Sequence, residues 1–189
     1  MARAAVLTEA EITRVLKIIA AGQNAQRNRI AFLLSAWAGM RVGEIAALKL
    51  GDVLTPSGDV VQQVSLRAAQ TKGRKGRIVV LNDKLRREIA AYVSARRRND
   101  ISAPLIASQR TGKHFSNTTL CMLFTHIYKQ AGMRNTSHAG RRTFATKLNA
   151  QGVGMRTIQL LMGHQHIATT ALYCDVTDEQ LYNAANLVS

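Results

Sequence analysis

The chain has 189 residues, of which 47% are hydrophobic and 20% charged, so it can build one sizeable core and is not expected to be disordered. Its 26 Lys and Arg residues against 11 Asp and Glu give a net charge of +15, which indicates a polyanionic partner, most simply nucleic acid. No apolar run reaches the roughly 18 residues of a membrane span, and no signal-peptide core follows the N-terminus, so we expect no membrane partner and a cytoplasmic location.

The first half of the chain predicts helices followed by a hairpin. Thr8 and Glu11 match a capping box, and apolar residues at helical spacing then continue to Gly22. Gly39 breaks the next helical pattern. We expect helices over residues 27–38 and 42–48, strands over 60–69 and 77–81, and a β-hairpin connection over 70–76.

The second half predicts helices only. Asn82 or Asp83 can cap a helix that runs to about residue 97, and Ser116 can cap another that ends near residue 131. Further helices are expected over residues 138–150, 155–162 and 178–187, with a short one before Tyr173. The predicted fold class is α+β, mainly α-helical with a small antiparallel β-sheet, in a single domain over residues 1–189.

The acidic residues are unevenly placed. Residues 101–174 contain no Asp or Glu, but eight Lys or Arg and all five histidines. A second stretch without acids, residues 60–82, carries Arg67, Lys72, Arg74, Lys75 and Arg77. Such stretches favour a phosphate-binding surface, the alternative being a solvated basic surface that keeps the protein soluble.

Scattered carboxylates do not predict a metal site, because metal-dependent nucleases hold Mg²⁺ with clustered carboxylates. We therefore expect neither a metal nor another cofactor, and any cleavage of phosphodiesters would use a protein nucleophile and cationic side chains. Cys121 and Cys174 form neither a disulfide framework nor a zinc pattern, which fits a reducing compartment.

Several residues could carry chemistry, although each has a plainer interpretation. His138 and Arg141 lie three apart on a predicted helix and would share a face. Arg41 lies in the break between two helices with Glu44 one turn later, and the plainer interpretation is a buried ion pair. Tyr173 closes a short helix, where it could equally be a core or interface tyrosine.

Two further positions complete the set. Gly163 ends a helix in a pattern that permits a left-handed cap, and His164 then lies in a tight turn, where it could be an ordinary polar residue. Lys72 lies at the tip of the predicted hairpin, where a lysine is usually solvated.

In their order along the chain these residues resemble the tyrosine recombinase (phage integrase) family. The run LMGHQHIATTALY at residues 161–173 is similar to the family signature Leu-x-Gly-His-x-x-Ile-x-Thr-Thr-x-x-Tyr. The run AGMRVGEI at residues 38–45 is similar to its first arginine box. The runs TKG at 71–73 and RIVVL at 77–81 are similar to its hairpin lysine motif.

The resemblance implies a site-specific recombinase that cleaves and rejoins double-stranded DNA through a 3′-phosphotyrosyl intermediate. Tyr173 would be the nucleophile, and Arg41 and Arg141 would bind the two non-bridging oxygens of the scissile phosphate. Lys72 would protonate the leaving 5′-oxygen.

The same resemblance assigns supporting roles. His138 would assist proton transfer at Tyr173, His164 would bind a phosphate oxygen, and Glu44 would orient Arg41 or a histidine. Contacts with DNA are expected from Arg74, Lys75, Arg77 and Arg142. The chain is expected to be monomeric when free and to form tetramers on DNA, with the last helix docking on a neighbour or folding back on its own core.

The chain also departs from the family pattern. Gly140 and Arg142 stand where the family usually has leucine and often histidine, and Gly140 should loosen its helix by roughly 0.5–1 kcal/mol. Lys75 competes with Lys72 as the general acid.

Typical members also carry an N-terminal helical domain, and we expect none within residues 1–189. The chain could be a natural short recombinase, a piece of a longer protein or a degenerate remnant, and we expect weak, salt-dependent DNA binding. A regulator of the same fold without turnover and a type IB topoisomerase are the alternative functions.

Overall fold

The computed structural model describes residues 5–71, 75–96, 100–174, 176 and 178–188. Within these residues the chain is mainly helical with one two-stranded antiparallel sheet, which confirms the predicted fold class. The helices are α1 (Glu9–Ala21), α2 (Ala25–Ala38), α3 (Val42–Ala47), α4 (Leu50–Val53), α5 (Asp83–Ser94), α6 (Asn117–Gln130), α7 (Ala139–Ala150), α8 (Met155–Met162), α9 (Ile167–Ala171) and α10 (Asp178–Ala185). In the part of the chain described, no helix is both long and apolar enough to cross a bilayer.

The sheet pairs β1 (Gln63–Leu66) with β2 (Arg77–Val80), so that Val64 lies opposite Val79 and both are buried. Both strands are shorter than predicted. After β1 the chain enters a 3₁₀ turn at Ala68–Gln70. The side-chain amide of Gln70 donates to the Ala47 carbonyl at 3.2 Å. This contact holds the turn against α3, so the chain does not continue as a strand.

The helix α1 begins as the sequence predicts. The Thr8 hydroxyl accepts from the Glu11 backbone N–H at 3.2 Å, and the Glu11 carboxylate accepts from the Thr8 N–H at 2.8 Å. The backbone N–H of Leu7 donates to the Thr143 hydroxyl at 2.8 Å, which ties the start of the chain to α7.

The helix α2 is the centre of the main core. It packs against α1, α5 and α7, and its residues Ile30, Phe32, Leu33 and Leu34 are at most 1% exposed although they point in different directions. A helix segment that is apolar on all sides is buried, and this position explains why α2 is almost entirely apolar from Ile30 onward, after the polar residues 26–29 of its first turns.

The helix α4 is one element that the sequence analysis missed. Its first turn is held from outside, because the backbone N–H groups of Leu50 and Gly51 donate to the carbonyls of Ala103 and Ile101, both at 2.9 Å. A four-residue helix stabilised by such distant contacts leaves no periodic signal in its own sequence.

A small second core anchors the C-terminal segment. It consists of Ala145, Ile158, Met162 and Cys174, with Tyr173 packed at its edge. Because Cys174 is buried in this cluster, the preceding Tyr173 is held against α7 and α8 of its own chain.

Gly140 lies where α7 crosses α2, and the structure corrects our expectation that it weakens this region. A Cβ atom at this position would lie 2.8 Å from the Ser35 hydroxyl oxygen and 3.3 Å from the backbone nitrogen of Ala36. A glycine lets the two helices approach closely, and this contact offsets its poor helix propensity.

Gly39 has a positive φ of 61°, and its added Cβ would lie 2.6 Å from Cδ1 of Phe144. We therefore expect Gly39→Ala to lower the free energy of unfolding by about 3 kcal/mol, from backbone strain and overpacking together. The matched control is Gly112→Ala, because Gly112 has a similar φ of 67° but open space around it, and it should cost only about 1 kcal/mol. Urea denaturation measures both values, and equal losses would contradict the packing argument.

Candidate active site

A buried carboxylate connects two arginines near the start of α3. Glu44, which is 1% exposed, accepts from the side chains of Arg41 at 2.9 Å and Arg77 at 2.7 and 3.1 Å. It also accepts from the Arg41 backbone N–H at 2.8 Å, which fixes the start of α3. The contact that the sequence analysis expected between Glu44 and Arg41 is therefore present, with Arg77 as an additional partner.

The charge of Glu44 is stabilised by these arginines. Burial alone would raise the pKa of this carboxyl, but the hydrogen bonds and charge of Arg77, the Arg41 backbone N–H and the charge of Arg141 outweigh it and lower the pKa below its ordinary value. Glu44 is thus a carboxylate at neutral pH and acts as the counter-ion of the arginine cluster, by which we mean Arg41, Arg77 and Arg141.

Arg77 does not occupy the exposed position that a DNA contact needs. Its side chain is 8% exposed and donates to Glu44 and, at 2.9 Å, to the Leu161 carbonyl. A Cβ atom at Gly163 would overlap the Cδ of Arg77, so the glycine is required for space as well as for its φ of 59°. The structure therefore gives Arg77 a structural role. The sequence analysis had grouped it with its basic neighbours as a DNA contact.

The last turn of α8 organises the other arginines. Arg141, which is 4% exposed, donates to the carbonyls of Gly39 and, at 2.5 Å, of Met162. Arg41 donates to the next carbonyl, that of Gly163, at 3.4 Å. The last carbonyls of a helix lack partners within the helix, and cations there are favoured by the helix dipole.

The two arginines differ in accessibility. The side chain of Arg41 is 26% exposed, whereas Arg141 is buried and uses both terminal nitrogens on carbonyls. Burial, followed by the charges of Arg41 and Arg77, lowers the pKa of Arg141 to about 9, so it stays charged at neutral pH. Its remaining N–H groups are those left to bind an anion.

The turn that follows Gly163 brings His164 against Tyr173. The two rings are stacked with centroids 5.6 Å apart and an interplanar angle of 23°. The backbone carbonyl of Tyr173 accepts from the Thr146 hydroxyl at 3.3 Å. The guanidinium carbon of Arg142 lies 5.7 Å from the centroid of the Tyr173 ring.

His164 is held in a defined orientation and protonation state. Its Nδ1 lies 2.9 Å from the hydroxyl of Thr170, a residue that is fully buried. Burial and then the charges of the arginine cluster lower the pKa of His164 to about 4, so the imidazole is neutral at neutral pH. A neutral imidazole carries one N–H, and the Thr170 hydroxyl can donate to Nδ1 or accept from it.

His138 shares a cavity with Arg41. It is the residue preceding α7, it is exposed, and it lines a cavity of about 310 Å³ together with Arg41. Three polar residues that the sequence analysis did not select, namely Asn117, Cys121 and Ser137, line the same cavity. No spacing rule links them to Arg41, because they come from α6 and the loop before α7.

A smaller cavity of about 190 Å³ adjoins the other side of Arg41 and is lined by Lys75, His164 and Arg77. Lys75 is exposed there, and its carbonyl accepts from the Thr71 hydroxyl at 2.7 Å. Lys72 and Arg74 lie outside the described residues. Among the described residues, no group of three or more His, Cys, Asp or Glu side chains is arranged to hold a metal ion.

We expect Glu44→Gln to lower the free energy of unfolding by about 3 kcal/mol at neutral pH, because it removes the counter-ion from a buried cluster of cations. The pKa of Glu44 is lowered on folding, so its contribution is present above its ordinary value of 4.5 and is lost as the pH falls through the folded-state pKa. The difference between variant and wild type should accordingly shrink in acid, which urea denaturation over a pH series measures.

The control for this prediction is Glu88→Gln. Glu88 pairs with Arg29, but the two side chains are 29% and 37% exposed, so its loss should cost about 1 kcal/mol or less. Similar losses in the two variants would show that burial does not govern the Glu44 pair.

The chain is similar to known proteins along most of its length. The family model described as the phage integrase family matches residues 5–180. The chain is 35% identical over 180 residues to tyrosine recombinase XerA of Thermococcus kodakarensis, and the alignment covers 94% of this chain and 60% of that protein. It is 32% identical over 163 residues to tyrosine recombinase XerC of Myxococcus xanthus, covering 82% of this chain and 52% of that protein.

Solved structures share the fold. The crystal structure of XerA recombinase matches 97% of this chain and 63% of its own, with a TM-score of 0.75 and 26% identity. The integrase of transposon Tn1549, solved in complex with circular intermediate DNA, matches 100% of this chain and 68% of its own with a TM-score of 0.76, and at 19% identity this likeness concerns the fold alone. The chain spans about 60% of the length of the XerA relative from T. kodakarensis. On the match to its family model and to these relatives, the chain belongs to the phage integrase family.

Proposed function

We propose that this chain is the catalytic part of a site-specific tyrosine recombinase, which cleaves and rejoins double-stranded DNA through a 3′-phosphotyrosyl intermediate. The observation that carries the proposal is the stacking of Tyr173 on His164, in the turn whose carbonyls hold Arg41 and Arg141. A phenol is a weak nucleophile at neutral pH, so the proposed attack needs a group that accepts its proton.

In the proposed reaction the Tyr173 oxygen attacks the scissile phosphorus and the bond from phosphorus to the 5′-oxygen breaks. The negative charge that builds up on the non-bridging oxygens is stabilised by Arg41, which is accessible, and by the remaining N–H groups of Arg141. His164, neutral at this pH, donates its single N–H to a phosphate oxygen. The reverse attack by a 5′-hydroxyl of a second strand rejoins the DNA.

Two proton transfers accompany this step. His138 is proposed to accept the proton of Tyr173, and it is supported by its position on the cavity that Arg41 also lines. Lys72 is proposed to protonate the leaving 5′-oxygen, with Lys75 as the alternative because it lines the cavity shared by Arg41 and His164. The energy of the broken bond is retained in the phosphotyrosine, so the proposed cycle consumes no nucleotide.

Double-stranded DNA is the proposed partner. The net charge of +15 and the two stretches without acids, residues 60–82 and 101–174, support phosphate binding. Arg74 and Lys75 of the first stretch are proposed to contact the DNA backbone. The XerA, XerC and Tn1549 proteins named above support the same partner through the family likeness. A cytoplasmic location belongs to the same proposal.

The test of the proposed chemistry uses duplexes with a randomised core and a nick, so that a cleaved strand loses the short fragment that carries the new 5′-hydroxyl and the adduct is trapped. We expect a covalent protein–DNA band from the wild type and none from Tyr173→Phe, because the variant lacks the attacking oxygen. Tyr182→Phe is the matched control, since Tyr182 is 71% exposed on α10 and should leave the adduct unchanged.

Three other outcomes would count against the proposal. An adduct that persists in Tyr173→Phe would exclude this nucleophile. Tight DNA binding by wild type without any adduct would favour a regulator of the same fold. Relaxation of arbitrary supercoiled plasmids without strand exchange would favour a type IB topoisomerase.

We also propose that the chain is a monomer when free and assembles on DNA into tetramers, which are the active form. Support comes from α10, on which Leu181 and Tyr182 are 60% and 71% exposed, and from Leu187 and Val188 beyond it, which are 86% and 89% exposed. Apolar side chains arranged in this way suit a surface that a second copy covers.

Deletion of residues 178–189 tests this assembly. We expect the shortened protein to keep the mass of a monomer when free and to lose the higher complexes on DNA, as measured by light scattering. Unchanged complexes on DNA after the deletion would contradict a role for α10.

A further inference from the structure

Arg142 stands out among the basic residues because of what its guanidinium contacts. Its Cζ atom lies 5.7 Å from the centroid of the Tyr173 ring, within the range of an attractive cation–π contact. Its Nε is buried and has no hydrogen-bond partner among the described residues, and it forms none of the ion pairs found there. The ring of Tyr173 is therefore a principal neighbour of this charge.

The helix α7 separates the roles of two consecutive arginines. Arg141 points to the carbonyls at the ends of α2 and α8, whereas Arg142, about 100° further round the helix, points to Tyr173. Thr146 lies one turn after Arg142 on the same face, and its hydroxyl donates to the Tyr173 carbonyl at 3.3 Å. One face of α7 thus contacts both the ring and the backbone of Tyr173.

We propose that Arg142 is a positioning residue that holds the phenol ring of Tyr173 beside His164, in the site of its own chain. This inference rests on the proposed function, in which Tyr173 is the nucleophile. It replaces the expectation that Arg142 is one more contact to the DNA backbone. Held in this way, the ring stays beside His164, which leaves the same turn whose carbonyls accept from Arg41 and Arg141.

The first measurement reports on position without any reaction. Tyrosine is replaced by 3-fluorotyrosine throughout the chain, and the ¹⁹F signal of Tyr173 is identified by its loss in Tyr173→Phe. In Arg142→Met we expect this signal to move toward that of the exposed Tyr182, because the ring loses its cation, whereas Arg142→Lys should keep it near the wild-type position. Arg110→Met removes an exposed positive charge elsewhere and should leave the signal unchanged.

The second measurement separates positioning from DNA affinity. With saturating nicked duplex in a single turnover, Arg142→Met should form the Tyr173 adduct on the order of tenfold more slowly, since small misplacements of reacting groups cost such factors, and Arg142→Lys should recover part of the rate. The DNA dissociation constant and its salt dependence should stay those of the wild type.

The results that would overturn the inference are distinct. An unchanged ¹⁹F signal and an unchanged saturating rate in Arg142→Met would remove the positioning role. Weaker binding with a salt slope reduced by about one, at an unchanged saturating rate, would make Arg142 a phosphate contact. If circular dichroism shows that Arg142→Met is unfolded, Arg142→Lys and Arg142→Gln are compared with the wild type instead. Absence of an adduct in the wild type would refute the proposed function, while the ¹⁹F comparison would still decide where Arg142 holds the ring.

Discussion

The carbonyl groups at the end of α8 are the constraint on which the site depends. Gly163 turns the chain into a left-handed conformation, so the carbonyls of Met162 and Gly163 point away from the helix and accept from Arg141 and Arg41. The next residue, His164, leaves the same turn and stacks on Tyr173. Three of the predicted site residues are therefore fixed by one helix end, and a change in this turn would displace them together.

Holding several cations in one buried region requires a counter-charge, and Glu44 provides it. The carboxylate bonds Arg41 and Arg77 directly and interacts with the charge of Arg141. Without an anion from a substrate, mutual repulsion in the arginine cluster is balanced only in part. The pKa values of Arg141 and His164 are lowered first by burial and then by the charges of the neighbouring arginines. A phosphate group bound at this point would complete the balance, which is a physical reason for the site to prefer such a ligand.

The sequence was most informative for features that depend on residues close together in the chain. The capping box at Thr8, the hairpin and the run at residues 161–173 could be predicted because each depends on neighbours in the chain. Arg77 could not be distinguished from the other lysines and arginines of residues 60–82, because its burial depends on α3 and α8, which are distant in sequence. Gly140 misled for the same reason, since its partner Ser35 lies on another helix. The helix α4 and the residues of α6 that line the cavity also depend on long-range packing.

The central claim is that Tyr173 and the two clamp arginines, Arg41 and Arg141, act on one phosphate. A crystal structure of the chain with a duplex gapped at the scissile phosphate and with orthovanadate, which takes the geometry of the transition state, measures this most directly. The account predicts vanadium bonded to the Tyr173 oxygen, with nitrogen atoms of Arg41 and Arg141 about 2.7–3.1 Å from its non-bridging oxygens. Vanadate bound away from Tyr173, or an Arg141 that still gives all its contacts to the Gly39 and Met162 carbonyls and none to the vanadate, would contradict it.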